Sequence, residues 1–146
     1  MFITSPSFED GAPIPKKFTC DGGDVNPELQ IQNVPSEAKS LALILHDPDA
    51  PIPGGFTHWV VWNIDPDITL IKQESIPRGG TEGKNGSGTK GYIGPCPPSG
   101  KHHYHFQLYA LDAMLALSDG SSETELRAEI AQHTLEMAEL IGWYAR

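Results

Sequence analysis

The chain has 146 residues and a formal charge of −9, from 10 Lys and Arg against 19 Asp and Glu. A chain of this length holds one hydrophobic core and is read as a single domain over residues 1–146, and its 38% apolar and 20% charged content excludes a disordered chain. No basic run offers itself to a series of phosphates, which excludes nucleic acid as a partner, and no apolar stretch reaches the roughly 20 residues that span a bilayer.

Fifteen glycines and 13 prolines demand many turns and favour an all-β architecture over a helical bundle. The N-terminus, Met1-Phe2-Ile3-Thr4-Ser5-Pro6, lacks the basic and apolar regions of a secretory leader, so a cytoplasmic location is expected. Residues 1–35 are broken by Gly11, Pro13, Pro15, Gly22, Gly23, Pro27 and Pro35 into short strands and turns, with Gln30–Val34 a brief strand. The first strong strand is Ser40–His46, stopped by Asp47-Pro48-Asp49-Ala50-Pro51. A second, His58–Ile64, is rich in β-branched and aromatic residues and follows the turn Pro53-Gly54-Gly55. Residues 72–91 carry six glycines and read as an exposed loop, without the GKS or GKT sequence of a phosphate-cradling loop. A third strand, His102–Leu111, follows Pro95, Pro97 and Pro98. The tail reads as one helix. Ser122 and Glu125 form a capping box, Leu126, Ile130, Met137 and Ile141 recur at helical spacing, and Gly142 ends the run.

Alternation along a strand decides which polar side chains can converge. Asp47 continues the face of Leu41, Leu43 and Leu45. His102 and Tyr104 share the face of Phe106, Leu108 and Ala110, whereas His103 and His105 point the other way. His58 shares a face with Val60, Trp62 and Ile64. Asp47, His58, His102 and Tyr104 thus stand at strand ends on otherwise apolar faces and can rim a pocket over an apolar floor. Two imidazoles and a phenol supply N–H and O–H donors for an oxyanion, and Asp47 can orient a histidine. His103 and His105 share a face but bring no Cys or carboxylate ligand with them, so neither a metal nor another cofactor is expected. Cys20 and Cys96 read as a reduced pair, with a disulfide as the alternative.

Two segments carry a family resemblance: Asp47-Pro48-Asp49-Ala50-Pro51 with His58-Trp59-Val60-Val61, and Gly94-Pro95-Cys96-Pro97-Pro98-Ser99-Gly100-Lys101-His102-His103-Tyr104. Both resemble the signature regions of the phosphatidylethanolamine-binding protein family, in its Raf-kinase-inhibitor-like, bacterial and archaeal branch. Phe18-Thr19-Cys20-Asp21-Gly22 and Leu140-Ile141-Gly142-Trp143-Tyr144 extend the likeness to the family's early segment and closing helix. The resemblance implies two antiparallel β-sheets packed as a sandwich, with a C-terminal α-helix. It also implies a ligand pocket of Asp47, His58, His102 and Tyr104, walled by Pro51 and Pro98, to which Gly94 and Cys96 would offer backbone N–H groups. The Ala50-Pro51 bond is similar to the family's cis peptide. His103 stands where the family often has Arg, and Phe56 near where eukaryotic members have Trp.

The expected function is binding of a small anion (phosphate, a phosphoethanolamine-like head group or a carboxylate), with a regulatory role through that ligand or a protein partner. Two alternatives are an inhibitor of a protease or kinase acting by protein contact, and a hydrolase using the His/Asp pocket. Catalysis is not expected, because no serine lies in a nucleophile-elbow motif and Cys96 lies in a proline-rich loop.

Overall fold

A computed structural model describes all 146 residues. The three strong segments are strands and run slightly longer than expected: Ser40–Asp47 (β3), Phe56–Ile64 (β4) and Lys101–Leu111 (β7). With Thr81–Glu82 (β6) and Thr134–Ala145 (β8) they form an antiparallel five-stranded sheet in the order β6-β4-β3-β7-β8. A second antiparallel sheet holds Phe2–Thr4 (β1), Leu29–Gln32 (β2) and Leu70–Ile71 (β5) in the order β1-β2-β5. One α-helix, Glu123–His133 (α1), packs on the other side of the large sheet.

This layering explains the sequence patterns. Leu41, Leu43, Leu45, Trp59, Val61, Phe106 and Leu108 meet Ile3, Leu29, Ile31 and Ile71 of the small sheet in the main core. Ala42, Ile44, Val60 and Trp62 lie beneath Leu126 and Ile130 of α1 in a second core. β3 is covered on both faces and is therefore apolar without alternation. β7 has one covered face and alternates, with His102, Tyr104, Phe106, Leu108 and Ala110 buried.

The tail departs from expectation. The capping box forms: Ser122 Oγ accepts from the Glu125 N–H at 3.2 Å, and Glu125 Oε1 accepts from the Ser122 N–H at 3.1 Å. The helix then stops at His133, not at Gly142, and residues expected to close it pair with β7 from Leu111↔Thr134 to Lys101↔Ala145. Leu140-Ile141-Gly142-Trp143-Tyr144 is strand, not helix. A continued helix would leave the second edge of β7 without partners for its N–H and C=O groups, and that demand outweighs local helix propensity. Gly142 has a packing role, since a Cβ there would sit 2.5 Å from Ile14 Cγ1 and 2.8 Å from Phe8 Cε2.

Three loop expectations also change. Residues 72–91 contain β6, and buried Asn85 ties its loop together by donating to Thr89 Oγ1 and Gly91 O and accepting from the Ser87 N–H, each at 3.0 Å. The Ala50–Pro51 peptide is trans, the isomer that X–Pro bonds ordinarily prefer by about 0.5–1 kcal/mol. The chain reverses instead through Gly54 and Gly55, at φ +81° and +77°. The cysteines are not a reduced pair. Cys20 and Cys96 form a disulfide with Cα atoms 5.4 Å apart, across 76 positions of sequence. The fold sets their two loops side by side: Cys20 N–H donates to Pro95 O at 3.1 Å, and Tyr92 O–H to Phe18 O at 2.6 Å.

Closing so long a loop stabilises the native state by roughly 2–4 kcal/mol in the chain-entropy account. The Cys20→Ser/Cys96→Ser protein is therefore expected to melt roughly 5–15 °C below the oxidised protein. Calorimetry of the two checks this, and equal midpoints would show that the bridge adds nothing.

Candidate functional site

The site is built on two breaks in the pairing of β3 with β4. Leu45 lies opposite Trp59 and His46 opposite Thr57, so His58 is an extra residue. Leu41 lies opposite Ile64 and Leu43 opposite Val61, so Trp62 and Asn63 together oppose Ala42. Asn63 takes φ +56° there, and its side chain exchanges hydrogen bonds with Leu115, Nδ2 to the carbonyl at 2.9 Å and Oδ1 from the N–H at 2.7 Å. Each break reverses the inside–outside count. His58 therefore does not share a face with Val60 and Trp62, and of the three expected neighbours only Ile64 lies on its side of the sheet. Val60 and Trp62 lie under α1, Ile64 lies between the sheets, and His58 turns toward Tyr104, edge-on with ring centres 5.2 Å apart.

Asp47, His58, His102 and Tyr104 come together around a cavity of about 460 Å³, and Pro51, Pro98, Gly94 and Cys96 also line it. Phe56, Ile52, Ile93, Ala50, Pro97 and Ser87, none of them expected in the pocket from the sequence, complete the walls. His103 and His105 lie outside it and each takes a carboxylate: His103 Nδ1 stands 2.8 Å from Asp49 Oδ2, and His105 Nδ1 3.1 Å from Glu139 Oε2. The His103 side chain is the largest cause holding the Asp49 carboxyl below the usual carboxylate range, and its backbone N–H also donates to Asp49 Oδ2. Nowhere do three or more His, Cys, Asp or Glu side chains gather in a metal-binding group.

Within the cavity most polar atoms are already committed. Asp47 Oδ2 lies 2.7 Å from His102 Nδ1, and Asp47 Oδ1 accepts from the Asp49 N–H at 2.8 Å. His58 Nδ1 donates to the Ile93 carbonyl at 2.7 Å. The N–H of Gly94, which the resemblance would offer to a ligand, donates to Asp24 Oδ1 at 2.7 Å. Asp24, at φ +57°, is a supporting residue that nothing in its sequence context marks. Three groups are left over, Nε2 of His58, Nε2 of His102 and the Tyr104 hydroxyl, and of these the hydroxyl is fully buried with no hydrogen-bond partner.

Burial governs the ionisation of this lining. It pushes His58 below the ordinary imidazole value, against the opposing pull of the Ile93 carbonyl and the Asp47 charge. Burial, then the negative charges of Asp47 and Asp49, push the Tyr104 phenol well up, although the Cys96 backbone opposes them. Both side chains are therefore neutral near pH 7. Tyr104 is a donor without an acceptor, and His58 Nε2 carries a lone pair. Cys96 has no thiol to act as a nucleophile, because its sulfur is in the disulfide.

Comparison with known proteins agrees with this architecture. The family model for phosphatidylethanolamine-binding proteins matches residues 4–145. A UPF0098 protein of Methanothermobacter thermautotrophicus is 47% identical, covering all of this chain and 99% of its own length. A UPF0098 protein of Chlamydia muridarum is 42% identical over 99% of this chain and 98% of its own. Among solved structures, a phosphatidylethanolamine-binding protein homologue from Chlamydia trachomatis superposes with a TM-score of 0.95 at 39% identity, over 99% of this chain and 97% of that one. E. coli YbcL, described as a new member of the mammalian family, gives 0.92 at 30% identity with the same coverages. The chain belongs to the phosphatidylethanolamine-binding protein family, in its bacterial and archaeal UPF0098 branch.

Proposed function

We propose that the pocket binds a small oxyanion-bearing ligand, a phosphorylated head group or a carboxylate, and holds it without turning it over. The observation that carries this reading is the Tyr104 hydroxyl, buried on the cavity lining beside His102 with no partner. A buried donor left unpaired costs about 1–3 kcal/mol, which a ligand oxygen would recover. Phe56, Ile52 and the prolines offer an apolar wall to the rest of the molecule. A regulatory role would follow from occupancy of this pocket. No helix is long and apolar enough to cross a membrane. The disulfide favours an oxidising compartment over an ordinary reducing cytosol, against the expected cytoplasmic location.

Titration calorimetry with inorganic phosphate and with phosphoethanolamine tests the pocket. Tyr104→Phe and His102→Ala are each expected to weaken binding roughly tenfold or more. Unchanged affinity in both would remove this cavity as the site. Tyr104→Phe also deletes the unpaired hydroxyl without changing the ring, so the ligand-free variant should be at least as stable as the parent. The second expectation concerns acid. The folded-state pKa of His58 is depressed, so the unfolded chain binds its proton more readily, and the stability His58 contributes is present above the ordinary imidazole value of about 6.5 and lost as pH falls below it. Between pH 7 and pH 5 the melting temperature of His58→Gln should fall less steeply than that of the parent. Parallel curves would count against a neutral, buried His58.

A further inference from the structure

We infer that His58 makes the pocket read a proton on its ligand: it selects oxyacids that keep an acidic O–H when bound, such as the monoanion of a phosphomonoester, over anions of the same shape that have none, such as sulfate esters and phosphodiesters. The inference rests on the proposed function and narrows its ligand class.

Its basis is the fixed orientation of one ring. His58 Nδ1 lies 2.7 Å from the Ile93 carbonyl oxygen, which can only accept, so Nδ1 carries hydrogen whether the ring is neutral or charged. The Ile93 N–H donates back to the His58 carbonyl at 2.9 Å, which locks the two residues together. Phe56 and Tyr104 meet the ring edge-on, with centres 4.9 and 5.2 Å away. In the neutral ring Nε2 is a bare acceptor, and no protein group donates to it.

The surroundings favour the neutral ring near pH 7, burial first among them. From β3, Asp47 favours a charge on His58, but both its oxygens are already engaged, by His102 and by the Asp49 N–H. His46, also from β3, opposes that charge, and from β7 come His102 and the un-ionised Tyr104. The 93–94 loop supplies backbone carbonyls that favour it. A ligand thus meets a donor at Tyr104 and an acceptor at His58. A P–O⁻ oxygen satisfies the first and a P–OH group the second. A sulfate ester or phosphodiester satisfies the first only, and sets a charged or ester oxygen against the Nε2 lone pair. Phosphomonoesters lose their second proton near about pH 6, so the favoured form is abundant at mildly acidic pH.

The test is calorimetry of phenyl phosphate, phenyl sulfate and methyl phenyl phosphate at pH 6.5 and 7.5, in buffers of differing ionisation enthalpy so that protons taken up are counted. At pH 6.5 the parent protein should bind phenyl phosphate roughly threefold or more tightly than either of the others. At pH 7.5 its binding should weaken and draw in a proton, while phenyl sulfate draws in none. His58→Gln presents either an amide donor or an acceptor, so it should narrow the gap between phenyl phosphate and phenyl sulfate. Equal affinities for the three ligands in the parent, or proton uptake with phenyl sulfate, would overturn the inference and leave the anion pocket standing. Failure of all three to bind would overturn the pocket itself. The parent measurements decide even if His58→Gln does not fold.

Discussion

A strand offers alternate side chains to alternate faces, and only an inserted residue can break that count. β4 breaks it twice within nine residues, at His58 and at Trp62–Asn63. The central hairpin needs both breaks. Trp59 and Val61 fill the core between the sheets, Val60 and Trp62 fill the core under the helix, and Ile64 returns to the first. Without the break at His58, regular alternation would point its imidazole toward α1, away from Asp47, His102 and Tyr104. The pocket exists because the pairing slips by one residue where β4 enters the sheet.

Around that slip the polar groups are held in a fixed order. Asp47 is the hub. One carboxylate oxygen orients His102, and the other closes the turn onto Asp49, which itself grips His103 on the outer face. Each oxygen of Asp47 thus already holds one contact of the fold, and its charge is shared with its own neighbours. Removing it would leave a buried imidazole without its partner and a turn without its closure, a combination expected to cost more than either bond alone. The donors and acceptors left for a ligand are those the fold does not use: the Tyr104 hydroxyl, and Nε2 of His58 and of His102.

Much of this was legible in the sequence, because the large sheet is long, apolar and β-branched. Ser40–His46, His58–Ile64 and His102–Leu111 all emerged as strands, and alternation alone sorted Asp47, His102 and Tyr104 from His103 and His105. His58 reached the pocket by a different route from the one alternation gives. Asn63 is a residue type that tolerates positive φ, but that is too weak a signal to reveal the bulge. The length of α1 was illegible for another reason. Thr134–Gly142 is rich in helix formers, and only pairing with β7, more than twenty residues upstream, makes it a strand. The two-residue strands β5 and β6 and the Cys20–Cys96 bridge depend on contacts that no local pattern reports.

The bridge has a topological consequence. Cys20 and Cys96 close a covalent ring that contains β2 through β6, with Asp47, His58 and Gly94 inside it and His102 and Tyr104 outside. The exposed turns at Pro51–Gly54 and Ser87–Lys90 both lie within the ring. A protease that cuts either turn once opens the ring but releases no fragment, and the two pieces part only on reduction. Each cut turn also lies beside the cavity, so a nicked molecule would keep its mass and its large sheet while the pocket mouth is altered. The chain can therefore be clipped at the edge of its own pocket and remain one molecule.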